Sequence, residues 1–195
     1  MARRLIFATN NRHKIEEVQQ LLGDAFHLQT LAECGITEDI PETADTLEGN
    51  ARQKAHYVSE RLACDCFADD TGLEVDALGG EPGVRSARYA TDGHDFEANN
   101  RLLLANMDGK SDRKARFRTV IALILDGREY LFEGRVEGEI AEQPSGNEGF
   151  GYDPLFVPEG HDCTFADMSL EAKGEISHRG RAVRKLVEFL EKYQR

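Results

Sequence analysis

The chain has 195 residues, 40% of them hydrophobic, and sets 36 acidic against 24 basic side chains for a formal net charge of -12. That length suits one domain with a substantial core, and the composition is that of a globular chain rather than a disordered one. The acidic balance opposes binding along a nucleic-acid backbone, which needs many basic contacts, but leaves room for a single nucleotide held by a local positive cluster and a metal. No apolar run approaches the ~20 residues of a membrane span and the N-terminus lacks the apolar core of a secretory signal, so the expected location is cytoplasmic with no membrane partner. Cys34, Cys64, Cys66 and Cys163 lack the paired spacing of a zinc site and are expected to be reduced thiols.

Arg3 to Thr9 predicts a first strand, whose nearly continuous apolar run Leu5-Ile6-Phe7-Ala8 suits a sheet covered on both faces. Thr9-Asn10-Asn11-Arg12-His13-Lys14 follows, then a helix with Ile15, Val18, Leu21 and Leu22 on one face. Small polar residues between a strand and a helix start make a natural anion site, because free backbone N–H groups and the helix dipole both favour phosphate there. Lys14 adds a full charge and Asn11 a donor, while capping by Asn10 or Asn11 is compatible with the same reading. Phe26 to Leu31 is expected as a second strand, ending in an irregular stretch that holds Glu42. Asp45-Thr46-Leu47-Glu48 has the spacing of a capping box and opens a helix to about Ala63. Ala51, Ala55, Val58 and Leu62 form its buried stripe, with Asn50 and Lys54 on an adjacent face.

The apolar lead Cys66-Phe67-Ala68 then runs into Asp69, Asp70, Thr71 and Gly72, which predicts two carboxylates delivered together at the end of a buried strand, the edge where open α/β sheets bind ligands. Neighbouring carboxylates in a low dielectric repel, so one gains a proton, a cation sits between them, or they point to different faces of the strand. Turn chemistry at Asp-Thr-Gly is the plain structural alternative. Phe96 to Met107 has a helical pattern, with Phe96, Leu102, Leu103 and Ala105 available for packing. Ala115 to Leu125 and Glu129 to Ile140 are the clearest strands, joined by the hairpin signal Asp126-Gly127 into a long antiparallel arm. The charges of that arm, Arg116 and Arg118 on one strand and Glu133, Arg135 and Glu137 on the other, are expected to be solvated.

Gly146 to Pro154 packs glycines around Phe150, Tyr152 and Asp153, and glycine beside an aromatic lets a flat ligand approach the backbone. Ser169 to Lys173 predicts a short helix, Gly174 to Gly180 a loop, and Arg181 to about Tyr193 a last helix with Val183, Leu186, Val187 and Leu190 on one stripe. His178 and Arg179 then sit at that helix's N-terminal end, where a cation is unfavourable unless an anion or polar ligand is near. There is neither a glycine-rich P-loop nor a Gly-x-Ser-x-Gly elbow.

In order, Thr9-x-Asn11-x-x-Lys14, Glu42 with Asn50 and Lys54, Asp69-Asp70-Thr71-Gly72-Leu73 with Gly79-Gly80 and Pro82-Gly83, Phe150-Gly151-Tyr152-Asp153, and Ser177-His178-Arg179 resemble the inosine triphosphate pyrophosphatase family over essentially the whole chain. Family members hydrolyse deaminated purine nucleoside triphosphates (ITP, dITP, XTP) to monophosphate and pyrophosphate. The resemblance implies an α/β fold, a long twisted mixed β-sheet with flanking helices and two lobes around a central substrate cleft, in a single domain over 1–195. It implies that Thr9, Asn10, Asn11, Arg12, His13 and Lys14 cradle the triphosphate, that Glu42 and Asp70 hold Mg²⁺ with Asp70 as proton acceptor, and that Asp69 and Lys54 support that centre while Thr71 contacts substrate. Phe150 would stack on the purine beside Gly151, Tyr152 and Asp153, with Lys173, His178 and Arg179 reaching base and phosphates. A fixed donor such as Arg179 would pair with the C6 oxygen of hypoxanthine or xanthine and reject adenine, though not guanine, which carries the same oxygen. A homodimer is also implied. Two positions depart from the family pattern: Asn10 stands where glycine is common, its tolerance of left-handed backbone keeping the loop intact, and Thr71 replaces serine but keeps the hydroxyl. Rival readings on the same residues are a general nucleotide or sugar phosphatase, separated by its product, and a nucleotide-sensing binder, which would not need the full acidic set.

Overall fold

The computed structural model describes residues 3–22 and 26–193, so the ends of the expected 1–195 domain and positions 23–25 lie outside the described residues. The elements run β1 (Arg3–Phe7), α1 (Arg12–Leu22), β2 (Phe26–Thr30), α2 (Leu47–Leu62), β3 (Cys66–Val75), β4 (Pro82–Gly83), α3 (Phe96–Asn106), β5 (Lys114–Leu125), β6 (Arg128–Ile140), β7 (Phe156–Pro158), α4 (Leu170–Ile176) and α5 (His178–Tyr193). The strands form one seven-stranded mixed sheet in the order β2-β1-β3-β5-β6-β7, with β4 paired to β3, and the expected mixed α/β architecture is what the chain adopts. β1 runs parallel to both β2 and β3, whereas β4 is antiparallel to β3 and β7 to β6.

Two compact units arise from this one sheet. The first comprises 1–70, 119–134 and 179–195, the second 71–118 and 135–178. In the first, odd positions of β1, β3 and β5 send Leu5, Phe7, Phe67, Ile121, Leu123 and Leu125 against Val18 and Leu22 of α1 and Ala182, Val183, Leu186 and Leu190 of α5. Phe7 and Phe67 stack with centroids 4.5 Å apart, and truncating either ring would cost about 3–5 kcal/mol. In the second unit Leu73, Val75, Leu103, Phe117, Val136, Phe156 and Phe165 form a separate core.

Several expectations need correction. β3 does not end at the acids but continues through Asp69 and Asp70 to Val75, because Leu73 and Val75 are fully buried and Leu73 and Glu74 pair with β4. α2 is capped by Thr46, not Asp45, since its side chain accepts from the Gly49 N–H. Leu62 is only half-buried and does not complete its predicted stripe, and Ala105, expected to be available for packing, is exposed. The expected loop 174–180 is helical instead: α4 reaches Ile176, Ser177 alone is extended, and α5 begins at His178. Glycines at 174 and 180 argue against helix by about 1 kcal/mol each, but burial of Lys173 and of 177–180 overrides them. β5 and β6 are joined by Asp126 and Gly127 with φ of 49° and 72°, as a two-residue hairpin requires, yet they are interior sheet neighbours rather than an arm. Their arginines are not simply solvated: Arg118 pairs with Glu74 at 2.9 Å, and Arg116 with Asp76 at 2.8 Å and Glu137 at 3.1 Å. Asn10 does not use left-handed backbone, which among described non-glycine residues occurs only at Ala63 and Asp126. The four cysteines are free thiols, and burial pushes the Cys66 thiol up to about 12.

Candidate active site

Asp69 and Asp70 are successive residues of an extended strand, so their side chains leave opposite faces and meet different helices. On the face covered by α1 and α5, Asp69 is 2% exposed. Its Oδ1 accepts from Lys14 Nζ at 2.8 Å and its Oδ2 from Arg179 Nε at 3.1 Å. On the opposite face, Asn50 of α2 donates from Nδ2 to Asp70 Oδ2 at 3.2 Å. One helical turn later Lys54 donates to Asp70 Oδ1 at 3.4 Å and to Glu42 Oε1 at 2.5 Å. All of these groups belong to the first unit.

The two acids therefore have opposite electrostatics. Burial works against a charge on Asp69, but Lys14, Arg179 and Lys54 outweigh it and hold its carboxyl well below the ordinary carboxylate range. For Asp70 burial prevails, reinforced by Glu42 against the opposing pull of Lys54 and Lys14, and the carboxyl is raised. Lys54 feels the same burial yet is held above its ordinary value by Asp70, Glu42 and Asp69. Lys14 is lowered by burial, which with the cations Lys54 and Arg179 exceeds the pull of Asp69. The surrounding cations thus favour the ionised form of Asp69, while burial and Glu42 favour the protonated form of Asp70.

The strand-to-helix turn before α1 is built as capping chemistry demands. Thr9 Oγ1 accepts from the Asn11 N–H at 3.1 Å, and Asn11 Oδ1 from the Lys14 N–H at 3.2 Å. Asn11, not Asn10, is the capping residue, and Asn10, Arg12 and His13 are exposed. Glu42 and Asp70 both touch one ammonium nitrogen, so their oxygens lie within reach of a single cation. Two carboxylates completed by waters and phosphate oxygens is how Mg²⁺ is usually held, and the residues fit that ion. Among the described residues no group of three or more His, Cys, Asp or Glu side chains is arranged to hold a metal.

In the second unit, the Phe150–Asp153 segment is a turn closed on itself. The Phe150 N–H donates to Asp153 Oδ2 at 2.8 Å, and the Asp153 N–H to the Phe150 carbonyl at 3.2 Å. Lys173 Nζ lies 2.7 Å from the same Oδ2, both side chains being under 5% exposed, and 5.2 Å from the centre of the Phe150 ring. Phe96 packs on Phe150 at 5.9 Å, and Asn100 donates to the Gly151 carbonyl at 2.9 Å. Gly149 has no alternative, since a Cβ there would stand 2.1 Å from Asp153 Oδ2. The Tyr152 hydroxyl donates to the Ser86 carbonyl at 2.8 Å, and the His178 ring stacks on Phe117 at 4.5 Å. Thr71 is half-buried at the start of this unit.

Ten of the predicted residues therefore fall into two sets. Lys14, Glu42, Lys54, Asp69, Asp70 and Arg179 form one charged cluster, while Phe150, Gly151, Asp153 and Lys173 form one aromatic turn. Sequence reasoning missed Glu17, Asn50's bond to Asp70, and Asn100. Asn50 was named beside Lys54 but given no partner, Glu17 was detectable in principle as one turn from Lys14 on the same helix, and nothing local marks Asn100.

The model of the Ham1 family matches residues 5–189. A dITP/XTP pyrophosphatase of Porphyromonas gingivalis is 54% identical over 188 residues, covering 96% of this chain and 97% of that protein. Another, from Flavobacterium johnsoniae, is 51% identical over 187 residues with the same coverage. The solved Staphylococcus aureus Ham1 protein superposes with a TM-score of 0.88 at 41% identity, covering 98% of this chain and 100% of that one. A Coxiella burnetii HAM1 protein gives 0.89 at 35% identity over 97% and 99%. With sequence and fold agreeing over nearly the full length of both partners, the chain belongs to the Ham1 family.

Proposed function

We propose that this protein hydrolyses deaminated purine nucleoside triphosphates, ITP, dITP and XTP, to nucleoside monophosphate and pyrophosphate, clearing them from the nucleotide pool. The observation that carries the reading is the division of labour between adjacent acids: Asp69 saturated by two cations, Asp70 with a raised carboxyl between Lys54, Asn50 and Glu42. Relatives of the same length named dITP/XTP pyrophosphatase support the substrate class.

In this reading the segment Thr9 to Lys14 holds the triphosphate, Lys14 as a point charge, and Thr71 contacts substrate. Glu42 and Asp70 would hold Mg²⁺, which when bound neutralises charge developing on the phosphates. Asp70 accepts the proton of the attacking water, and Lys54, already bonded to both carboxylates, stabilises the same centre. Phe150 stacks on the purine, with Gly151, Tyr152 and His178 beside it, and Asp153 and Lys173 lock its turn. We assign Arg179 to the charged cluster rather than to base recognition, because Nε and Nη1 are engaged by Asp69 and Glu17. The chain would act as one domain, since β3, β5 and β6 each run through both units. A cytoplasmic homodimer without nucleic-acid partners completes the proposal.

The deciding assay incubates pure protein with ITP and Mg²⁺ and identifies the product. Pyrophosphate is expected. Orthophosphate would reject the reaction in favour of a general phosphatase, and equal turnover of ATP and GTP would reject the selectivity.

A further inference from the structure

Glu17 has no role in the chemistry described above, yet it is only 7% exposed on a helix that offers water a full polar face. Carboxylates are rarely buried without a charged partner. Its partner is Arg179, whose Nη1 donates to Glu17 Oε2 while its Nε donates to Asp69 Oδ2 at 3.1 Å. Asp69 Oδ1 in turn takes Lys14 Nζ at 2.8 Å. Lys14 and Glu17 are three residues apart on α1 and so share one side of it. The bonds therefore close a loop from α1 through β3 and α5 back to α1, in the alternating order Lys14, Asp69, Arg179, Glu17.

We propose that Glu17 is a positioning residue for the triphosphate end of the site, acting through Arg179. Its carboxylate holds one edge of the guanidinium, so that Arg179 meets Asp69 Oδ2 through Nε while Asp69 Oδ1 receives Lys14. Without that hold, the planar fork of Arg179 is free to take both oxygens of Asp69, the geometry arginine and carboxylate prefer. Lys14 then loses the acceptor that aims it. Glu17 also neutralises a trio that would otherwise carry one excess positive charge. The inference rests on the proposal that Lys14 contacts the triphosphate.

A double-mutant cycle on Glu17→Gln and Arg179→Met tests it, read in the affinity for inorganic triphosphate by calorimetry and in kcat and KM for ITP. Glu17→Gln is expected to weaken triphosphate binding and raise KM for ITP at least about tenfold, with a smaller change in kcat. The double variant is expected to lose no more than Arg179→Met alone, the non-additive result that action through Arg179 requires and independent action would not give. Glu17→Asp, which keeps the charge on a shorter stem, is expected to recover part of the loss and keeps the test readable if Glu17→Gln does not fold. Additive effects, or Glu17→Gln and Glu17→Asp both binding triphosphate like the wild type, would overturn the inference. Failure of the wild type itself to bind triphosphate would instead reject the proposal on Lys14.

Discussion

Replacing Asp69 by asparagine probes the charged cluster at its centre. The carboxylate is bonded to Lys14 and Arg179, and the three side chains are only 1%, 14% and 2% exposed. Removing one member of a buried, hydrogen-bonded charge set strands the others without solvent, at a cost of about 3–5 kcal/mol. For a chain of this length each kcal/mol moves Tm by roughly 2–4 °C, so Asp69→Asn is expected to melt about 6–20 °C below the wild type at pH 7. The pH dependence has a definite sign. The folded carboxyl lies below its unfolded value near ~3.9, so its contribution is fully present above that value and is lost as pH falls toward the folded one. The gap in Tm between the two proteins should stay level from pH 7 to about 5 and narrow below about 4. Calorimetry of both proteins across that range measures it. A gap under about 2 °C at pH 7, or one that widens on acidification, would refute the reasoning.

Asp70→Asn is expected to lower ITP turnover by about 10²–10⁴ while ITP binding falls far less, as measured by single-turnover kinetics beside calorimetry; undiminished turnover would remove Asp70 as proton acceptor. Phe150→Ala should raise KM for ITP roughly 5- to 100-fold, the loss of one stacked base, and an unchanged KM would place the purine elsewhere. Chelation with EDTA should abolish pyrophosphate release and added Mg²⁺ restore it. Release that persists in EDTA would free Glu42 and Asp70 from the metal role.

Much of the chain announced itself locally. The run Leu5-Ile6-Phe7-Ala8, the apolar positions of α1 and α5, and the Asp126-Gly127 turn are periodicities and turn chemistries that act over a few residues, and each formed the element expected of it. The residues of the charged cluster were also recognisable by their ordered motifs. Two of the local signals that failed did so for the same reason. Glycine and serine between Lys173 and Arg181 speak for a loop, and Asp-Asp-Thr-Gly for a turn, but burial against distant segments outweighs preferences of about 1 kcal/mol per residue.

The sequence by itself determined that acids, lysines and an arginine were available, and in which order. It left open whether one of Asp69 and Asp70 gains a proton, a cation sits between them or they face apart. Only tertiary structure decided that they face apart, because extending β3 past both acids turns one toward α1 and α5 and the other toward α2. Which acid has its carboxyl lowered and which raised follows from burial and from the cations those helices carry, and Coulombic contacts between residues 55 and 110 positions apart leave no trace in any local pattern.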